Sequence, residues 1–213
     1  MRNASRKRPC YTAPMGAEAG FGTDADETLM LAYRDGDAGA FDRLYARHKG
    51  PVYRYLRRHA FDAADELAQD VWMRVINARG GYDVRAKFTT WLYAIAHNRL
   101  MDHFRATGRD AARFTAPAAD DEGGDVFEDQ PHPGPRPEQM LERREAAARI
   151  LDALGELPAP QREAFVLQQE GGLSVEEIAA ATGVNRETAK SRLRYALAKL
   201  RAALADLREE QRT

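Results

Sequence analysis

One stretch of this 213-residue sequence cannot form regular structure, and it divides the chain into two parts. From residue 108 to 137 the apolar residues lose any helical or strand period. Proline has no backbone N–H and restricts the residue before it, so alternating prolines exclude a helix and favour an extended backbone. We therefore expect an acidic, proline-rich linker here. It contains a cluster of acidic residues, followed by alternating prolines at Pro131, Pro133, Pro135 and Pro137; the acidic cluster is Asp120, Asp121, Glu122, Asp125, Glu128 and Asp129.

The two blocks that flank this linker have helical periodicity. Residues 26–107 and 138–207 place their aliphatic residues at helical spacings, and neither block shows the alternation that is typical of a strand. Residues 1–25 are rich in small and basic residues without a period, which indicates a disordered tail, and 208–213 form a short C-terminal tail. The sequence predicts an all-α fold of two small helical domains joined by a flexible acidic linker.

The composition narrows the class of protein. Hydrophobic residues make up 44% and charged residues 31% of the chain, which is typical of a soluble globular protein. No apolar run approaches the roughly 20 residues that span a bilayer, and the basic N-terminus lacks the apolar stretch of a secretory signal. The only cysteine, Cys10, excludes an internal disulfide and a cysteine-based zinc site. We expect a cytoplasmic protein without a membrane contact.

The C-terminal block contains the pattern of a helix-turn-helix. Ser174 followed by Glu177 is a capping box, which predicts that a short helix begins there. Gly183 supplies the backbone freedom to end that helix and turn. Asn185 can cap the next helix by accepting a bond from a free amide near Thr188. Two short helices joined by a tight glycine turn are the helix-turn-helix pattern.

The second helix of this pattern has two chemically distinct faces. Residues 174–204 hold six basic and three acidic residues, a local charge of +3 in a chain of net charge −1, as expected of a segment that binds DNA. A solvated face on an ordinary amphipathic helix is the alternative. At about 100° per residue, the apolar arc comprises Ala189, Leu193, Ala196, Leu197, Leu200 and Leu204.

The docking of such motifs indicates which side chains contact DNA. The N-terminal part of the second helix meets base edges, and neighbouring cations bind phosphates. We predict base contacts from Arg186, Glu187, Thr188 and Ser191, and phosphate contacts from Lys190, Arg192 and Arg194.

A second candidate for DNA binding is the segment 88–105, in which one helical arc is apolar and another carries Trp91 and Asn98. Aromatic rings stack on unpaired bases while cations hold the backbone. Residues 84–109 contain five basic residues and one acidic residue, which favours a polyanionic partner. The alternative is that Trp91 and Tyr93 fill the core.

Upstream, residues 61–78 predict a helix whose first half is acidic. Acidic side chains repel DNA, so an exposed functional face here would contact a protein, and a solvated acidic first turn is the alternative. Its apolar face comprises Leu67, Val71, Trp72 and Val75, and its acidic residues are Asp62, Asp65, Glu66 and Asp70.

In this order, the three segments resemble the extracytoplasmic-function (ECF) sigma factors of bacterial RNA polymerase, which belong to the sigma-70 family. The segment DELAQDVWMRV resembles the helix that binds the coiled coil of the beta-prime subunit. FTTWLYAIAHNRLMDHFR resembles the helices that melt and read the −10 promoter element. LPAPQREAFVLQQEGGLSVEEIAAATGVNRETAKSRLRYALAKLR resembles the domain that reads the −35 element and binds the flap of the beta subunit.

This resemblance implies partners and a role for each matching position. The partners are core RNA polymerase and promoter DNA; family members are often held inactive by an anti-sigma factor, although no residue here establishes one. Where His97 stands, the family commonly has another basic or an aliphatic residue. The residues implied to face polymerase are Asp65, Gln69, Asp70 and Arg74, and those near the opened −10 strand are Trp91, His97, Asn98, Arg99, Asp102 and Arg105.

The sequence disfavours two other classes of protein. An enzyme could use His97, Asp102 and His103 as metal ligands, but these lack the i, i+3 or i+4 spacing that makes ligands on one helix converge. No glycine-rich phosphate loop and no HExxH motif occurs, so we expect no catalysis, cofactor or metal. A conventional regulator would carry an effector domain of alternating strands and helices before its helix-turn-helix, whereas residues 26–107 predict helices only.

The linker has the length to separate the two domains on DNA. Residues 111–136 can span up to about 86 Å, and promoter elements two helical turns apart lie roughly 70 Å from one another. By resemblance, its acidic residues would occupy a basic channel of polymerase. A solubilising spacer is the alternative.

Overall fold

In the computed structural model, residues 25–84, 86–108 and 148–203 are described, and every regular element in these ranges is helical. The predicted all-α fold of two helical domains is confirmed. The predicted linker and both predicted tails lie, apart from boundary residues, outside the described residues. The N-terminal helices are α1 (Asp26–Arg34), α2 (Ala38–Arg57), α3 (Ala64–Ala78) and α4 (Phe88–Ala106), with short 3-10 turns at Phe61–Ala63 and Arg79–Gly81. The C-terminal helices are α5 (148–155), α6 (Ala159–Gly171), α7 (Val175–Thr182) and α8 (Arg186–Ala203).

The N-terminal helices each bury one face in a shared core. Helix α2 begins at a cap, because the Asp37 carboxylate accepts a bond of 3.3 Å from the amide of Ala40. The four apolar residues predicted on α3 are all buried. The apolar arc predicted on α4 consists of Leu92, Ile95, Ala96 and Leu100; Leu92, Ala96 and Leu100 are fully buried, and Ile95 is partly buried against the same core. The remaining buried residues of α4 are Phe88, Thr90, Tyr93 and Phe104.

A buried arginine joins two helices of the C-terminal domain. Arg162 of α6 is 1% exposed, and its guanidinium donates to the carbonyls of Leu154, Gly155 and Leu157 at 2.8, 2.6 and 3.0 Å. These carbonyls lie at the end of α5, where a helix leaves carbonyls without intrahelical partners. Burial lowers the pKa of Arg162. The arginine thus fastens α5 and the following turn to α6.

The two domains also pack directly against each other. Helices α2 and α4 of the N-terminal domain contact α6 and α7 of the C-terminal domain, and buried residues of both domains form one continuous apolar cluster. This arrangement places the helix-turn-helix beside α4. Within the described part of the chain, no helix is long and apolar enough to span a bilayer.

We expect the Arg162→Met variant to be less stable than the wild type by about 3 kcal/mol, because it leaves buried carbonyls without a charged donor. Urea denaturation followed by circular dichroism measures this loss. The control is Arg201→Met on the exposed end of α8, which should change the free energy of unfolding by less than about 0.5 kcal/mol. Equal effects of the two substitutions would contradict the conclusion that the Arg162 hydrogen bonds stabilise the packing of α5 on α6.

Candidate nucleic-acid interface

The turn between α7 and α8 has the geometry that the sequence predicts. The Ser174 hydroxyl accepts a bond from the Glu177 amide at 3.3 Å, and the Glu177 carboxylate accepts one from the Ser174 amide at 2.8 Å. Gly183 ends α7 in the left-handed conformation, with φ of +68°. The Asn185 side chain accepts a bond of 2.7 Å from the amide of Thr188. The capping box, the glycine turn and the second cap are therefore confirmed as local structure.

Helix α8 separates its apolar and polar residues as expected. Its buried face consists of Ala189, Leu193, Ala196 and Leu200, with Leu197 partly buried beside it, while Leu204 lies outside the described residues. On the opposite side, Thr188, Ser191 and Arg192 are half-buried. The exposed residues of the predicted DNA face are Arg186, Glu187, Lys190 and Arg194.

The first turn of α8 carries its own ion pairs. The Arg186 guanidinium donates to Glu176 of α7 at 2.5 Å and to Glu187 at 3.1 Å. The Arg186 hydrogen bond lowers the pKa of Glu176. The predicted base-reading arginine is thus held between two carboxylates through its Nε and Nη1.

The aromatic residues of α4 differ in their surroundings. Tyr93 is 1% exposed, so the core alternative is correct for this ring. Trp91 is half-buried, with its ring centroid 5.2 Å from that of Tyr82 and 6.0 Å from that of Phe88. Among the phenylalanine, tyrosine and tryptophan rings of α4, only that of Trp91 is therefore partly accessible, and Asn98 and Arg105 are exposed farther along the helix.

Ion pairs join the predicted polymerase face on α3 to the predicted DNA face on α4. Arg99 donates to Asp70 at 2.7 Å and lies 3.5 Å from Glu66. Arg74 donates to Asp102 at 2.9 Å, and Asp102 also accepts a bond from the neighbouring Arg105 at 2.7 Å. The structure thus brings Asp70 and Arg74 together with residues of the other predicted group, while Asp65 and Gln69 are exposed on α3.

His97 is directed away from the other predicted −10 residues and towards the C-terminal domain. Its Nδ1 lies 2.7 Å from the Glu163 carboxylate, which also accepts a bond of 2.7 Å from the Tyr55 hydroxyl. Burial acts to raise the pKa of Glu163, but His97, His59 and Tyr55 together hold it below its ordinary value. Burial and the neighbouring Glu163 raise the pKa of Tyr55, so the hydroxyl stays a donor.

Glu163 and Tyr55 were not predicted as functional residues. They lie 108 positions apart in the chain, and neither belongs to a motif that indicates a contact. Within the ranges described, no group of three or more histidine, cysteine or acidic side chains could hold a metal ion.

Comparisons with known proteins match both domains. The family Sigma-70 region 2 matches residues 44–110, and Sigma-70 region 4 matches residues 147–200. The RNA polymerase sigma factor CarQ of Myxococcus xanthus is 32% identical over 191 residues, which cover 85% of this chain and 98% of CarQ. The ECF RNA polymerase sigma factor SigM of Mycobacterium tuberculosis is 32% identical over 185 residues, 86% of each chain.

A solved structure is similar over most of the chain. CnrH, in complex with the cytosolic domain of CnrY, shares 26% sequence identity and aligns with a TM-score of 0.59. The alignment covers 86% of this chain and 99% of CnrH. The likeness therefore extends over both helical domains.

The Asn185 side chain, which caps α8, should stabilise the folded protein measurably. We expect Asn185→Ala to lower the free energy of unfolding by about 1 kcal/mol, because the Thr188 amide loses its acceptor. Chemical denaturation measures the loss. Asn77→Ala, at an exposed position near the end of α3, is the matched control. A loss no larger than that of the control would show that Asn185 does not stabilise the start of α8.

Proposed function

Because the chain belongs to the ECF sigma factors of the sigma-70 family, which direct promoter-specific transcription initiation by RNA polymerase, we propose that α8 reads the −35 element and α4 reads the −10 element. The observation that carries this proposal is the capped helix-turn-helix, whose recognition helix presents an exposed polar first turn. The domain boundaries proposed with it are 26–107 and 138–207, with the linker at 108–137. The chain supplies binding and not catalysis, and it acts in the cytoplasm with polymerase.

At the −35 element, the N-terminal half of α8 lies in the major groove. Base edges are read by Arg186, Glu187, Thr188 and Ser191. The phosphates are bound by the cations on either side, Lys190, Arg192 and Arg194. Ser191 donates its hydroxyl to the Thr188 carbonyl at 2.9 Å, which leaves its oxygen as an acceptor for an exocyclic amine.

Substitution of Lys190 should weaken promoter binding without changing the sequence preference. We expect Lys190→Ala to reduce the dependence of log affinity on log salt by about one unit, since one phosphate contact is lost. The measurement is binding of the holoenzyme to promoter fragments over a salt series. Lys199→Ala is the matched control, because this exposed lysine lies nine residues, about 13 Å, farther along the helix. An equal effect of both substitutions would contradict the proposed docking.

At the −10 element, the accessible edge of Trp91 stacks on an unpaired base, and Asn98 and Arg105 contact the opened strand. Arg99 and Asp102 lie near them but are paired with α3. The polymerase-facing residues Asp65, Gln69, Asp70 and Arg74 are on α3. We infer that polymerase, by engaging the Asp70 carboxylate and Arg74, releases Arg99 and Asp102 for DNA.

Promoter opening requires more free energy than this chain supplies. Opening roughly ten base pairs at about 1.4 kcal/mol per stacking step costs on the order of 14 kcal/mol. One stacked aromatic ring contributes roughly 1–3 kcal/mol, and Trp91 is the partly accessible ring of α4. Melting must therefore be coupled to polymerase, which bends and holds the DNA.

The isolated chain should bind promoter duplex weakly and leave it closed. Permanganate footprinting of unpaired thymines measures opening, and we expect reactivity only when core polymerase is present. In the holoenzyme, Trp91→Ala should reduce opening by about tenfold through the loss of one stacking contact, and Trp91→Phe should preserve most of it. A melted bubble formed by the chain alone would refute the proposal that promoter melting requires polymerase.

Run-off transcription with core polymerase tests the proposed function as a whole. A sigma factor binds core stoichiometrically and directs initiation, whereas an operator-binding regulator does not replace sigma. The structural relative CnrH was solved in complex with another protein, the cytosolic domain of CnrY, and we propose that the present chain is also bound by a partner protein, an anti-sigma factor.

A further inference from the structure

A cavity of about 300 Å³ lies where the two domains meet. Helices α4, α6, α7 and α8 all contribute to its lining. Because a molecule of liquid water occupies about 30 Å³, the cavity has room for an organic molecule of roughly ten non-hydrogen atoms. Met101 and Arg192 are half-buried members of the lining, so the cavity is accessible from solvent. Its size and its position between two domains are typical of small-molecule sites.

Half of the lining residues are apolar, and both domains contribute them. Leu100 is fully buried, whereas the flexible thioether of Met101 adapts to the shape of a neighbouring group and packs well against aromatic rings. The lining therefore favours a ligand with a compact hydrocarbon body. The apolar lining residues are Leu100, Met101, Ala159, Pro160 and Val184.

Arg192 adds to this lining a positive charge that no carboxylate neutralises. Other cations around the domain contact are paired, because Arg54 donates to Glu170 at 2.7 Å and Lys87 lies 2.9 Å from Glu177. Within the described part of the chain, Arg192 forms neither an ion pair nor a hydrogen bond. Water screens a half-buried charge less than an exposed one. Arg192 can therefore anchor a carboxylate, which a guanidinium binds through two parallel N–H donors.

The other polar groups of the lining are already engaged by protein partners. One oxygen of the Glu163 carboxylate accepts the Tyr55 hydroxyl and lies 2.7 Å from His97, so hydrogen bonds within that cluster stabilise its charge. Thr182 donates its hydroxyl to a carbonyl of its own helix at 2.8 Å. The Nδ1 of His59 lies 2.7 Å from the Tyr55 carbonyl. The charge that a ligand meets without a protein partner is therefore positive.

We propose that this cavity binds a small organic acid, with its carboxylate on Arg192 and its ring or branched hydrocarbon body against Leu100, Met101 and Val184. The binding site itself does not depend on the proposed function. Its consequence does, because Arg192 is also a proposed phosphate contact at the −35 element. A guanidinium that is held in the cavity by a carboxylate is not available to a phosphate, so the acid competes with promoter DNA.

Benzoate is the probe, because it combines a carboxylate with a ring of the required size. The full-length chain is labelled with carbon-13 at its methionine methyl groups and titrated at constant ionic strength. The ring should shift the Met101 methyl resonance, which Met101→Leu identifies, with a dissociation constant of roughly 1 mM. The methyl group of Met73, which is exposed on α3, should not respond. Benzamide, which has the same shape without the charge, should bind at least about tenfold more weakly.

Two arginine substitutions on α8 locate the carboxylate. Arg192→Gln should weaken benzoate binding at least about tenfold, because the ionic partner is lost. Arg194→Gln is the matched control, since this exposed arginine of the same helix does not line the cavity, and it should leave the affinity unchanged. If circular dichroism shows that Arg192→Gln does not fold, Val184→Phe should weaken binding instead by filling the cavity while it keeps the charge.

Several results would overturn the organic-acid site. These are an unshifted Met101 methyl at saturating benzoate, equal affinities for benzoate and benzamide, or equal effects of Arg192→Gln and Arg194→Gln. An unweakened Val184→Phe would do the same.

Run-off transcription separates the site from the proposed function. With promoter at its half-maximal concentration, benzoate at about ten times its dissociation constant should lower the product at least about twofold relative to benzamide. Binding without this loss would refute competition with DNA. A chain that binds benzoate but directs no transcription with core polymerase would refute the proposed function and leave the ligand site standing.

Discussion

The packing of α4 on three neighbours constrains the rest of this structure. One side of the helix fills the N-terminal core through Leu92 and Leu100, a second carries the ion pairs to α3, and a third meets α6 and α7. Only a narrow strip around Asn98 and Arg105 stays open to solvent. Because α4 is held on three sides, it cannot move independently of its neighbours. A change at any of these contacts therefore alters the position of the strip that we propose binds DNA.

Local interactions explain why the helix-turn-helix was predictable. The capping box and the Asn185 cap join residues three positions apart, and the glycine turn needs only its own backbone freedom. Because each of these interactions joins residues that are close in the chain, each one can be predicted from the sequence. The burial of the α3 residues was predictable for the same reason, since one helix period determines which side chains share a face.

Contacts between distant segments were not predictable. Arg99 falls in the apolar sector of α4 by helix geometry alone, and the structure explains it by Asp70, which is 29 positions away. His97 and Glu163 are separated by 66 positions, and their pairing depends on how two domains dock. Whether Tyr93 fills the core likewise depended on α2, because Tyr55 packs edge-on against Tyr93 with ring centroids 5.5 Å apart.

The charged edge of the domain contact has a consequence for ionic strength. Arg54–Glu170 and Lys87–Glu177 are partly exposed, so dissolved salt screens them within a Debye length of about 8 Å at 0.15 M. The same salt weakens phosphate contacts on promoter DNA. Rising salt thus weakens the ion pairs at the edge of the domain contact and the proposed phosphate contacts together, so both are strongest at low ionic strength.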